Sequence, residues 1–115
     1  MRCWTSIVLV LAGCGSSSDD SPGVRPAGES LYFSKGCAAC HGARGEGSFM
    51  GPPLSNVPAR WKRDELARFI ADPAPFVERD TRLRELASAY RTPMKPSPMS
   101  ETERAALADF LLSER

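Results

Sequence analysis

Apolar positions along this chain recur at helical spacing, and nowhere do they alternate with polar ones in the period of two that marks a half-buried strand. In "RDELARFIADP", Leu66, Phe69 and Ile70 stand at i, i+3 and i+4, and Pro73 supplies the stop. In "ERDTRLRELASAYRTP", Leu83, Leu86, Ala87 and Tyr90 fall on one helical face. "SETERAALADFLLSER" opens with Ser100 and Glu103 at capping-box spacing and then offers Leu107, Phe110 and Leu111 to a core. A shorter helical stretch, "GESLYFSK", carries Leu31, Tyr32 and Phe33 into "CAACH". These patterns predict an all-α domain over residues 28–115, with long Pro/Gly-rich loops and no internal repeat.

The residues ahead of Gly28 are patterned differently. Arg2 is followed by an apolar run from Ile7 to Ala12. It is too short to span a bilayer, which takes about 20 apolar residues, but it suits an export signal. The run ends in Leu11, Ala12, Gly13 and Cys14, which resembles the lipobox of bacterial lipoproteins; there the cut falls before the cysteine, and that cysteine takes the lipid. The competing reading is an ordinary signal peptide with a chance cysteine. From Gly15 to Ala27 the chain is small, polar, Pro or Gly apart from Val24, the composition of a flexible tether. The expected organisation is therefore a signal at 1–13, a lipidated tether at 14–27 and one domain at 28–115.

One domain of this size offers a small core, and at 115 residues a staple is expected: disulfides, a metal, or a cofactor with apolar surface of its own. Charge narrows the partners. The full chain has 15 Lys and Arg against 14 Asp and Glu, and loss of the signal removes only Arg2, so the mature balance has no basic footprint for nucleic acid. With Cys3 cut away and Cys14 capped by lipid, Cys37 and Cys40 are the thiols that remain. A disulfide between them would close a tiny loop and constrain the unfolded chain little.

On a helical turn Cys37, Cys40 and His41 point the same way. Zinc needs about four ligands, and the domain has no other cysteine or histidine. A thioredoxin-like dithiol needs a strand before it, in a βαβ setting that the pattern lacks. Cys-x-x-Cys-His is the attachment motif of c-type haem, in which each thiol adds to one vinyl group and the adjacent imidazole reaches the iron. Such a group would also be the staple, since a haem buries more apolar surface than any side chain.

With that motif in place, residues 28–115 resemble the class I c-type cytochromes, mono-haem proteins with a small all-α fold of three to five helices around one covalently attached haem c. "CAACH" matches the attachment site at Cys37, Cys40 and His41, and "GPPL" at 51–54 is similar to the family's Gly-Pro-x-Leu loop. By that likeness the Pro52 carbonyl accepts the N–H of His41 and Leu54 faces the ring. The segment "RTPMKPSPMSETERAALADF" resembles the distal loop, whose ligand methionine precedes the last helix's N-cap by six residues and its aromatic by sixteen; Met94 meets both intervals, with Ser100 and Phe110. Lys95 stands where the family often places proline directly after the ligand. Met50 lies on the proximal loop, and Met99, next to the cap, reads as packing. The likeness also implies that the first helix crosses the last through Gly28 and Phe33 against Phe110 and Leu111, with Tyr32 as the alternative to Phe33. Trp61 either packs or reaches a haem propionate with its indole N–H.

His41 and Met94 as axial ligands leave iron no open position, and a thioether raises its potential. The resemblance thus implies a one-electron carrier without bond-making catalysis. Its expected partners are redox proteins at the membrane surface: a quinol-oxidising complex, a terminal oxidase or a reductase. An exported lipoprotein would work at the periplasmic face of the inner or outer membrane. Gly15 is not the aspartate that retains many lipoproteins at the inner one. The rivals are a haem sensor or peroxidase-like protein with a displaceable sixth ligand, and a cytochrome subunit fixed in a larger oxidoreductase complex.

Overall fold

The computed structural model describes residues 26–113, so the expected signal, Cys14 and most of the expected tether lie outside the described residues. Among those described the regular structure is all helical, with no strand; the nearest approach is an isolated bridge between Ser48 and Gly51. The seven helical segments are α1 (Ala27–Ser34), α2 (Cys37–His41), α3 (Val57–Arg60), α4 (Arg63–Ala71), α5 (Ala74–Arg79), α6 (Thr81–Ser88) and α7 (Glu101–Leu112).

All-α architecture holds, while the expected three to five helices become seven segments. Local stop signals explain the extra ones. Asp72 is extended ahead of Pro73, as the residue before a proline tends to be, and α4 ends there. Asp80 divides the stretch expected to be one helix: its side chain accepts from the backbone N–H of Arg82 at 2.9 Å and of Leu83 at 3.4 Å, so it caps α6, and the preceding turns form α5. At its other end α6 stops at Ser88, so Tyr90 lies beyond it. The predicted capping box at α7 is complete: Glu103 N–H donates to Ser100 Oγ at 3.1 Å, and Ser100 N–H to Glu103 Oε1 at 3.0 Å.

The last helix is the hub. It packs against α1, α4 and α3, and the buried cluster consists of Tyr32, Val57, Leu66, Ile70, Leu107, Ala108 and Leu111. Gly28 lets α1 cross α7 closely, since a Cβ there would overlap the Ala106 carbonyl and the Phe110 Cβ. The aromatic in the crossing is Tyr32, not Phe33. Tyr32 is 1% exposed, with its ring 5.9 Å from that of Phe110, whereas Phe33 is 37% exposed. Position within the helix decides this: Tyr32 is one turn after Gly28 on the same face, and Phe33 is rotated away. An ion pair, Arg63 with Asp109, ties α4 to α7 at the surface. Helices α5 and α6 pack on each other, and Val77, Leu83 and Leu86 line a cleft that the core side also lines.

A candidate haem cleft

That cleft has a volume of about 820 Å³, within the range of roughly 300–1,000 Å³ common for cofactor sites. Its walls are chiefly apolar, with Tyr32, Leu54, Trp61, Phe69, Ile70 and Leu107 among them. Leu86 and Met94, which also line it, remain 39% and 42% exposed, so this domain turns apolar surface into an open cavity instead of closing over it.

Cys37, Cys40 and His41 all line the cleft from α2, as their helical spacing requires. Both thiols are free. Burial pushes the Cys37 thiol above its ordinary value, and the adjacent Cys40 adds to the shift. Gly36 turns the chain from α1 into α2 with φ of +79°, a left-handed conformation suited to glycine.

The loop after α2 folds back onto it. His41 Nδ1 lies 2.8 Å from the Pro52 carbonyl oxygen, which makes Nδ1 the protonated nitrogen and leaves Nε2 as the one with an available lone pair. Gly51 permits this approach, because a Cβ there would sit 2.9 Å from the Cys40 carbonyl oxygen. Two further contacts escaped the sequence reading. Ser48 Oγ donates to the Cys40 carbonyl at 2.7 Å, and the Tyr32 hydroxyl donates to the Gly42 carbonyl at 2.5 Å. The signal in the sequence was the hydroxyl of Tyr32, the alternative to Phe33 in the crossing, since a buried tyrosine must find an acceptor.

The three methionines of the domain stand in three different segments. Met94 lines the cleft from the irregular segment between α6 and α7. Met99 packs against the buried cluster, as expected for a residue before a cap. Met50 borders the cleft too, but from the short loop that Gly51 holds against Cys40. Trp61 stands in an aromatic group, 4.8 Å from Phe69 and 6.1 Å from Phe76 between ring centroids, with the Arg82 guanidinium 6.0 Å from its ring. Lys35, Arg60, Arg82 and Lys95 line the cleft against one acid, Glu85, a bias absent from the nearly neutral chain as a whole.

These observations fit an apolar planar group with acidic substituents. The cavity is large enough, two thiols and an imidazole share one helix on its wall, a thioether is offered by a distant segment, and cations are present for carboxylates. The donor set is unsuited to a bare ion, and no group of three or more His, Cys, Asp or Glu among the described residues is placed to hold one.

Comparison with known proteins bears on the same point. The Cytochrome c family model matches residues 26–114. Cytochrome c-551 of Stutzerimonas stutzeri is 30% identical over 112 residues, covering 93% of this chain and 95% of that protein. Cytochrome c-551 of Azotobacter vinelandii is 28% identical over 88 residues, covering 76% of this chain and 98% of the relative. No solved structure matches the chain significantly. With nearly the whole helical domain matched and a large cleft lined by a Cys-x-x-Cys-His turn, the chain belongs to the cytochrome c family, as a class I mono-haem electron-transfer protein, not an enzyme, carrying one covalently bound haem c.

Proposed function

We propose that the chain is a membrane-tethered one-electron carrier whose haem is bonded through Cys37 and Cys40 and ligated by His41 and Met94. The observation that carries this reading is the sorting of side chains at the cleft: His41 and Met94 border one apolar cavity, while Met99 packs into the core. When bound, the haem supplies a one-electron Fe(III)/Fe(II) couple, and a His/Met pair favours the ferrous state. The residues of the chain do the rest. Pro52 holds His41 in one tautomer and raises its basicity. Leu54 and the neighbouring apolar wall exclude water. Trp61 and the cations near it offer donors to propionates.

Cys14 would carry the lipid, and the tether at 15–27 would hold the domain near the periplasmic face of a membrane. Its thirteen residues reach about 20 Å on average as Gly/Ser-like coil. The fitting partners are redox proteins at that surface: a quinol-oxidising complex, a terminal oxidase or a reductase.

The test is production in a host that attaches haem c, followed by acid and organic extraction of the purified chain. Colour that stays with the polypeptide supports the reading, and a colourless or strippable product refutes it. In the ferric form, the weak sulfur-to-iron charge-transfer band should vanish in Met94→Ala and persist in Met99→Ala. Cys14→Ser should move the chain from the membrane fraction to the aqueous one. A five-coordinate spectrum, or tight CO binding by the reduced protein at neutral pH, would favour a sensor over a carrier.

A further inference from the structure

The helix that bears the attachment motif cannot hold its own end. Five residues make little more than one turn, too short to be stable alone, and the last carbonyls of any helix lack partners within it. Here the last two, and that of the capping Gly42, are taken up from outside. The Cys40 carbonyl accepts from Ser48 Oγ at 2.7 Å and the His41 carbonyl from Gly47 N–H at 2.7 Å. The Gly42 carbonyl accepts from Gly45 N–H at 3.2 Å and from the Tyr32 hydroxyl at 2.5 Å.

All but one of these donors belong to the loop that follows α2 and would move with it. The exception is Tyr32. Its ring is 1% exposed and packed against Phe110, on a helix pinned to α7 at Gly28. It therefore ties the end of α2 to the buried crossing of α1 and α7. Packing alone does not call for the hydroxyl, since phenylalanine would fill the same space without a polar group to bury.

We propose that Tyr32 is a positioning residue for His41: by donating to the Gly42 carbonyl, its buried hydroxyl fixes the peptide just after His41 and thereby the orientation of the imidazole. This rests on His41 being an axial ligand. The hydroxyl also offsets the negative end of a carbonyl beside that ligand. Removing it leaves the negative end less compensated, which favours the more positively charged ferric state.

The test is Tyr32→Phe in the haem-loaded chain. Covalent haem should remain at one per chain. The ferrous-to-ferric ratio at a fixed applied potential should fall roughly threefold, which is about 28 mV at about 59 mV per tenfold for one electron. The hyperfine-shifted proton signals of the His41 ring should move as well. Leu31→Ala, on the same helix but outside the buried cluster that holds Tyr32, should leave both readouts in place. An unchanged ratio and unchanged ring signals in Tyr32→Phe would overturn the proposal, as would equal shifts in Leu31→Ala.

A second measurement does not depend on that variant folding. In a Tyr90→Phe chain Tyr32 is the only tyrosine, and growth on 3-fluorotyrosine makes its phenol a stronger donor. The ratio should then move the opposite way, and a shift in the same direction or none would overturn the proposal. If the unaltered chain carries no covalent haem, the functional reading has failed first. If it carries haem and neither change to Tyr32 is felt, the positioning role alone has failed.

Discussion

The Pro52 carbonyl oxygen lies 2.8 Å from Nδ1 of His41, and the glycine before it, Gly51, is pressed against the Cys40 carbonyl. The contact depends on the backbone of residue 52 and on the missing side chain of residue 51. Pro52→Ala, which keeps the carbonyl, should therefore retain attached haem and lose little stability. Gly51→Val should push the loop off α2, lower the yield of covalent haem and cost about 1–3 kcal/mol by overpacking. Haem content per chain and urea unfolding of the two variants check this. Equal behaviour would show that the loop is held by something else.

Met94 and Met99 predict opposite phenotypes. Met94 is 42% exposed in the cleft, so Met94→Ala should change the spectrum with little loss of packing. Met99 packs on the core while partly exposed, and Met99→Ala should keep the spectrum while costing about 1–2 kcal/mol, less than full burial would give. Optical spectra alongside thermal unfolding separate the two.

Gly28 is set by the crossing of α1 over α7. A Cβ would overlap the Ala106 carbonyl and the Phe110 Cβ, and neither is a flexible side-chain end. Gly28→Ala should destabilise by about 1–3 kcal/mol, with a steeper effect in Gly28→Val. Denaturant midpoints at constant m-value are the measurement.

Acid should weaken the start of α7. The Ser100 backbone N–H holds the Glu103 carboxylate below its ordinary range. A depressed carboxylate stabilises the fold above its unfolded pKa, and that stabilisation is lost as pH falls through the lower, folded one. Asp109, depressed by Arg63, acts in the same direction. Unfolding curves taken from neutrality down to about pH 3 should show stability falling below roughly pH 4.5. Glu103→Gln should flatten part of that slope, while Ser100→Ala should lower stability by about 1 kcal/mol at all pH values.

Much of this was legible because it is local. The capping box at Ser100 and Glu103, the stop at Pro73 and the shared face of Cys37, Cys40 and His41 each depend on residues within a turn or two of one another, where backbone geometry leaves few choices. The break at Asp80 was local too. It was missed because the apolar face that marks the helix begins only at Leu83, so the pattern left its start open, while the carboxylate competes for the backbone as a cap.

The sequence by itself determined a helical domain and a turn of two thiols and an imidazole, for these follow from spacing along one chain. Tertiary structure decided that Met94 lines the cleft while Met99 packs on the core, that α1 is buried against α7, and that the Tyr32 hydroxyl reaches the Gly42 carbonyl. Those outcomes depend on how α1 and α7 cross and where the segment after α6 runs. Contacts between segments remote in sequence are set by close packing, which local spacing does not encode.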